Sequence, residues 1–307
     1  MSYYTEIAKN TSDHKLGDFT RNTPYGIYTN LNFSANRFGI SLEYKNYNRF
    51  VIGAGINEPP AGIKEHTYSV LNRSAHVLQT DNETGFQFEL FYTFLENSIL
   101  TLNTSLAHNK QPNREFTFRE YFAEYGFVLF DIIDTKFFVD FADDPFKLEQ
   151  QRLSIGLNAN WEILTRSSAE IGYQNQRFER LSQRVEYHVL SLDFQYSPKL
   201  STNILYEYSN DPFLTNGEFA TWLGAGMRYK LNRKNNLQIF VGNRRGGPAC
   251  QAGVCYEVLD FKGVELRFYS RFYSNISREI KNPVIWRDDL IYASPGGPKF
   301  NGIGGCS

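Results

Sequence analysis

Gly85-Phe-Gln-Phe-Glu-Leu-Phe-Tyr-Thr-Phe94 decides how the rest of the chain is read. Phe86, Phe88, Leu90, Tyr92 and Phe94 share one parity, and Gln87, Glu89 and Thr93 share the other. Successive side chains on a strand point to opposite faces, so this is a β-strand with one apolar and one polar side. About ten such residues also suffice for a tilted strand to cross a bilayer.

Outward from it, the alternation recurs. Strands are predicted over residues 3–8, 25–34, 38–46, 85–94, 99–107, 118–130 and 136–141, then over 153–162, 169–175, 188–196, 202–208, 221–231, 237–243 and 261–272. No helical periodicity competes over a comparable length. Connections alternate in length as well. Those at 96–98, 131–135, 164–167, 197–199 and 231–236 are short, whereas those at 108–116, 142–152, 176–187, 209–220 and 246–260 are long. Outer-membrane barrels put short turns on the periplasmic side and long loops outside. The expected fold is all-β: a transmembrane antiparallel up-and-down β-barrel of about fourteen strands, or part of a larger one. With 3–8 as the first strand, the count is even and both ends of the barrel are periplasmic.

Composition agrees. The 307 residues carry a formal charge of −1 and hold no run of eighteen apolar residues, which excludes a helical membrane span. A mean hydropathy of −0.44 suits a barrel, because half of each strand faces a polar lumen. Twenty Tyr and twenty-six Phe exceed the needs of a soluble core and match the aromatic girdles of barrels. Lys and Arg are scattered, so no nucleic-acid partner is expected. The first residues, Met1-Ser-Tyr-Tyr-Thr-Glu-Ile-Ala-Lys, lack the basic and apolar regions of a secretory signal, and the expectation is a mature chain or a fragment.

Three segments stand out. Residues 1–272 are expected to form the barrel, with 50–82 as a long loop lying outside the cell or folded into the lumen; loops longer than about fifteen residues are usually functional or disordered. Residues 273–307, rich in Gly and Pro near their end, are expected to be a poorly ordered periplasmic tail. Cys250 and Cys255 close a six-residue segment that reads, in an exported protein, as a disulfide pinning a loop tip. Metal ligands are not gathered near them, and no metal or cofactor is expected.

Gly55-Ile-Asn-Glu-Pro-Pro, Glu65-His-Thr-Tyr and Leu71-Asn-Arg form one distinctive block. Gly246-Gly-Pro-Ala-Cys-Gln-Ala-Gly-Val-Cys-Tyr-Glu, running on to Phe261-Lys-Gly-Val-Glu-Leu-Arg, forms another. Both resemble an uncharacterised Gram-negative outer-membrane β-barrel family, a domain of unknown function, and match the C-terminal half of its longer members. The resemblance implies the fold and a bacterial outer-membrane location, and it brings no catalytic residue or substrate. The tail after Phe272 departs from the pattern, since such barrels end at the last strand's aromatic.

Parity assigns the lumen side. Glu43, Glu89, Glu120, Glu124, Asp193, Glu207, Arg228, Lys230, Glu265, Arg267 and Arg271 are expected to line the pore, since a basic side chain facing lipid at mid-bilayer costs about 2–4 kcal/mol. Early strands supply acids and late strands supply bases. That polarity reads either as a field across a water-filled pore or as paired charges filling the interior. Catalysis is not expected: His14, His66, His76 and His108 fall in loops or at strand ends, His188 takes the lipid-facing parity, and no nucleophile or metal-protease motif is present. The acidic pairs at 143–144 and 288–289 read as solvated. Phe178, Phe213 and Trp222, near loops, read as loop packing or as a surface for sugars or partners.

The expected function is a porin-like or gated conduit for small polar solutes, with 50–82 as plug or gate and outer-membrane lipid around it. The alternative is a plugged barrel that scaffolds or docks other envelope proteins of the surface or secretion machinery. A soluble β-rich binding protein would need helices or a second sheet over the apolar parity, and none is predicted.

Overall fold

Period-two alternation becomes one antiparallel sheet of fourteen strands. The structure, a computed structural model, describes residues 1–9, 24–50, 60–79, 81–111, 114–215, 219–251 and 254–271, with backbone alone for 248–251 and 254–258. The N-terminal strands are β1 (Ser2–Lys9), β2 (Tyr25–Ala35) and β3 (Phe38–Asn48), followed by a one-turn helix α1 (Ser69–Arg73). Then come β4 (Glu83–Leu95), β5 (Ser98–Gln111), β6 (Arg114–Leu129), β7 (Ile133–Asp144) and β8 (Glu149–Leu164). Next are β9 (Ser167–Arg180), β10 (Gln183–Tyr196), β11 (Leu200–Ser209), the short helix α2 (Pro212–Thr215), β12 (Ala220–Lys230) and β13 (Asn235–Arg244). The hairpin β14 (Gly247–Gln251) and β15 (Val254–Val258) precedes β16 (Phe261–Ser270).

The sheet order is β1 through β13 and then β16, each strand antiparallel to the next. No ladder joins β1 to β16 among the described residues, so the sheet is open there. Met1–Ser270 make one compact unit; Arg271–Ser307 make a second, of which Arg271 alone is described. The expected tail, His14 and the 288–289 pair lie outside the described residues. No helix among the described residues is long and apolar enough to cross a membrane.

The two faces differ as parity requires. Leu102, Tyr121, Phe137, Ile155, Tyr173, Leu192, Ile204, Leu223, Val241 and Leu266, one from each of ten neighbouring strands, are all exposed on the same face. A band of that extent is the kind of surface a bilayer covers. On the opposite face the register aligns Glu89, Asn103, Phe122, Asp140, Ser154, Gln176, Tyr187 and Ser209 in one line across β4 to β11. We call this the inner face, because residues 60–79 lie against it.

That segment also reveals the curl of the sheet. Arg73 pairs with Glu207 on β11, and three residues later His76 reaches Glu83 at the start of β4. On a flat sheet β4 and β11 would stand about 34 Å apart. A segment of a few residues thus touches strands seven apart in the sheet, as a sheet curled toward it allows.

Three of the expected long loops are instead strand extensions. β5 runs on to Gln111 and β6 starts at Arg114; the other two hairpins turn at 145–148 and at Leu181 and Ser182, the last two at positive φ (50° and 63°) as a twisted two-residue turn requires. The remaining two hold α2 and the β14–β15 hairpin. Face polarity inverts in the β9–β10 extension, which hid it: Phe178 and Val185 point inward and are buried, while Arg177 and Glu179 point outward and are exposed. The last strand also ends earlier than expected, at Ser270, so Arg271 lies past it and is exposed rather than on a ladder. In the β14–β15 hairpin Cys250 stands opposite Cys255; the thiols belong to the side chains outside the description.

Candidate functional site

An apolar clamp seats the segment on the wall. The Tyr68 ring lies 3.9 Å from that of Phe138 and 6.4 Å from that of Phe122, between centroids. His66 packs on Phe122 at 4.7 Å, and His76 stacks on Phe118 at 4.6 Å. Val70 and Leu71 of α1 complete a buried cluster with Phe178, Val185, Tyr187 and Val189 from β9 and β10. One turn of helix is too short to stand alone, so wall contacts hold it. Gln174 accepts from the Val70 N–H at 3.1 Å, Gln176 accepts from the Ser74 hydroxyl at 3.0 Å, and Tyr68 donates to Glu124 at 2.6 Å.

Around the clamp runs a buried ionic cradle. Lys45 meets Glu83 at 2.5 Å and also donates to the Ala61 carbonyl. Lys64 pairs with Glu89, while Arg73 grips Glu207 through both guanidinium nitrogens, the NH2 bond being 2.9 Å. Arg152, fully buried, bridges Glu120 at 3.0 Å, Glu149 at 3.1 Å and Asp140 at 3.5 Å, and donates to the Ser74 carbonyl at 2.8 Å. Arg180 joins Glu149 at 3.0 Å to Asp211 at 2.5 Å, between the rings of Phe178 and Phe213 at 4.8 and 4.7 Å.

His76 sits between Asp144 at 3.4 Å and Glu83 at 3.3 Å. Burial alone would push its pKa down, but hydrogen bonds and charge from Asp144 and Glu83 outweigh that, and the pKa is raised above the ordinary 6.5. Lys45 faces it across Glu83, and Lys147 lies beside Asp144. A raised folded-state pKa contributes stability that is fully present below the unfolded value and lost as pH climbs through the folded one. The urea midpoint is thus expected to fall as pH rises above the histidine range, and His76→Gln should flatten that slope. Parallel slopes for the two proteins would refute this role of His76.

The residues singled out by parity divide into groups. Glu89, Glu120, Glu124 and Glu207 meet the segment or its cradle. Glu43 accepts from Tyr28 at 2.9 Å and Asn30 at 3.1 Å. Glu265 is matched by Arg244 at 2.7 Å and Arg267 at 2.5 Å. Asp193, Arg228 and Lys230 remain exposed on the inner parity, toward the short-turn end. Of these acids, Glu89, Glu120 and Glu207 are paired with bases at the segment. Sequence reasoning missed Arg73, Glu83, Glu149, Arg152, Arg180 and Asp211, and it left His66 and His76 as loop residues. Asp144, read as solvated, is buried against His76. Phe178 is core, and Arg245 lies over Trp222 at 5.9 Å. Only Arg152 gave a usable signal, as the inner-parity residue just before the predicted start of its strand.

The sequence model described as "Family of unknown function (DUF6029)" matches residues 1–272. No curated protein matches. Among solved structures, the ferric-catecholate import receptor Fiu of E. coli K12 aligns with 81% of this chain and 41% of its own, at 14% identity and a TM-score of 0.45. The ferric citrate transporter FecA aligns with 80% and 44%, at 12% and 0.36. The P. putida toluene transporter TodX aligns with 88% of each chain, at 7% and 0.30. The chain thus spans less than half the length of the first two.

Proposed function

We propose that this chain, which belongs to the DUF6029 family, works in the bacterial outer membrane as a gated conduit for small polar solutes. Residues 60–79 are the gate. The observation that carries this reading is how the segment is held: by Lys45, Lys64, Arg73 and Arg152 and their carboxylates, around a small aromatic clamp. Buried ion pairs add little net stability, because desolvation offsets their attraction, yet they fix position sharply. A segment so held can withdraw into water, where each charge is solvated again. Exposed Asp193, Arg228 and Lys230 continue the inner face toward the short turns and suit a hydrated path.

The wall closes when β1 and β16 meet each other or further strands, and lipid covers the apolar face. Opposed Cys250 and Cys255, once oxidised, would pin the hairpin near α1. The role is passive and involves no bond chemistry. Planar-bilayer conductance of the refolded chain tests it. Wild type is expected to be silent or to open briefly, and a version with 60–79 replaced by a Gly/Ser linker is expected to carry steady current. Silence from both, with a heat-modifiable folded band on a gel, would sink the conduit and favour a plugged scaffold for surface or secretion machinery.

A further inference from the structure

His66 of the segment, Glu120 of β6 and Asp140 of β7 meet at one buried point. Each offers one donor atom, and these atoms all lie within 4.8 Å of one another. The residues are 7%, 2% and 0% exposed. Their polar atoms are not satisfied by one another. Both ring nitrogens of His66 and Oδ1 of Asp140 lack a hydrogen-bond partner among the described residues, and the 3.2 Å approach of His66 Nε2 to Glu120 Oε2 lacks hydrogen-bond geometry. Polar atoms left bare in a dry site are costly, and each unexplained one calls for a cause.

The surroundings fit a cation. Arg152 holds Glu120 through its Oε1 at 3.0 Å, and Ser154 donates to Asp140 Oδ2 at 3.2 Å, so each carboxylate has one oxygen fixed from outside and one to spare. Such outer partners commonly orient metal ligands. Charge points the same way. At the point itself Glu120 and Asp140 share the single guanidinium of Arg152 with Glu149, so a cation placed between them meets acidic oxygens. The Phe122 ring, 4.7 Å from His66, walls the point off on one side.

We propose that His66, Glu120 and Asp140 form a divalent transition-metal site that clasps the inserted segment to the wall. One imidazole nitrogen and two carboxylate oxygens are a donor set suited to zinc and its neighbours, with bonds of about 2.0–2.2 Å. Donors around such an ion stand roughly 3.4 Å apart. His66 Nε2 and Glu120 Oε2 already stand 3.2 Å apart, and the three donor atoms all lie within 4.8 Å. The site stands on its own geometry, whether or not the barrel conducts.

The experiment uses the tag-free full chain refolded in detergent, with thiols alkylated and metal stripped by chelation. Zinc is titrated by calorimetry, and the zinc-loaded protein is examined by X-ray absorption. One equivalent is expected, with one imidazole and otherwise oxygen ligands. His66→Gln should weaken binding by more than the about 100-fold that loss of an outer partner costs, and His108→Gln, at an exposed position bonded to Thr117, should leave it unchanged. Asp140→Asn serves as the second variant if His66→Gln lacks the heat-modifiable band. No binding by folded wild type, a ligand shell with sulfur or two imidazoles, or equal affinity in His66→Gln would each overturn the site. Failure here leaves the conductance result untouched, so the two readings fall separately.

Discussion

Arg152→Met is expected to destabilise the folded barrel by about 3–5 kcal/mol, the cost of breaking a buried ion pair by removing one partner. Its guanidinium is fully buried and serves Glu120, Asp140 and Glu149 at once, as well as the Ser74 carbonyl of the segment. Methionine fills much of the volume but leaves those carboxylates facing one another without a cation. The measurement is urea unfolding in detergent, followed by the loss of the heat-modifiable band. Adding Glu120→Gln should restore part of the loss, because it removes one of the stranded charges. A change below about 1 kcal/mol would mean that the carboxylates are neutral or solvated in the native state, against the cradle described above.

Phe138→Ala is expected to cost a similar 3–5 kcal/mol for a different reason, the cavity left by a buried aromatic. Phe138 is wholly buried, and the Tyr68 ring rests on it at 3.9 Å. It can lie there because Gly156 across the ladder has no Cβ; a Cβ at Gly156 would meet the Phe138 ring. The loss should appear locally too, as faster hydrogen exchange at the amides of 70–74, which depend on the clamp. It should be insensitive to salt and pH, unlike the Arg152 variant. Unchanged exchange in 70–74, or a loss that salt removes, would show that charge alone holds the segment.

Much of the fold is local in origin. Phe86, Phe88 and Leu90 against Gln87 and Glu89 state which face is apolar, and every strand centre reads the same way, because pleating ties side-chain direction to residue parity. Strand number, antiparallel order and the lipid-facing band follow from that. The strand ends do not: past the band the outer face turns polar and the inner face takes aromatics, so alternation at 176–180 carries no sign that says strand. The site was less legible still. Glu120 and Glu207 were marked as inward, but their partners were not. Arg73 and Glu207 are separated by 134 residues. They meet because the sheet curls and draws a segment between β3 and β4 across to β11. Parity told which side chains face inward; only the tertiary path of the segment across the sheet decided which of them touch, since partnership among charges depends on distance through space and not along the sequence.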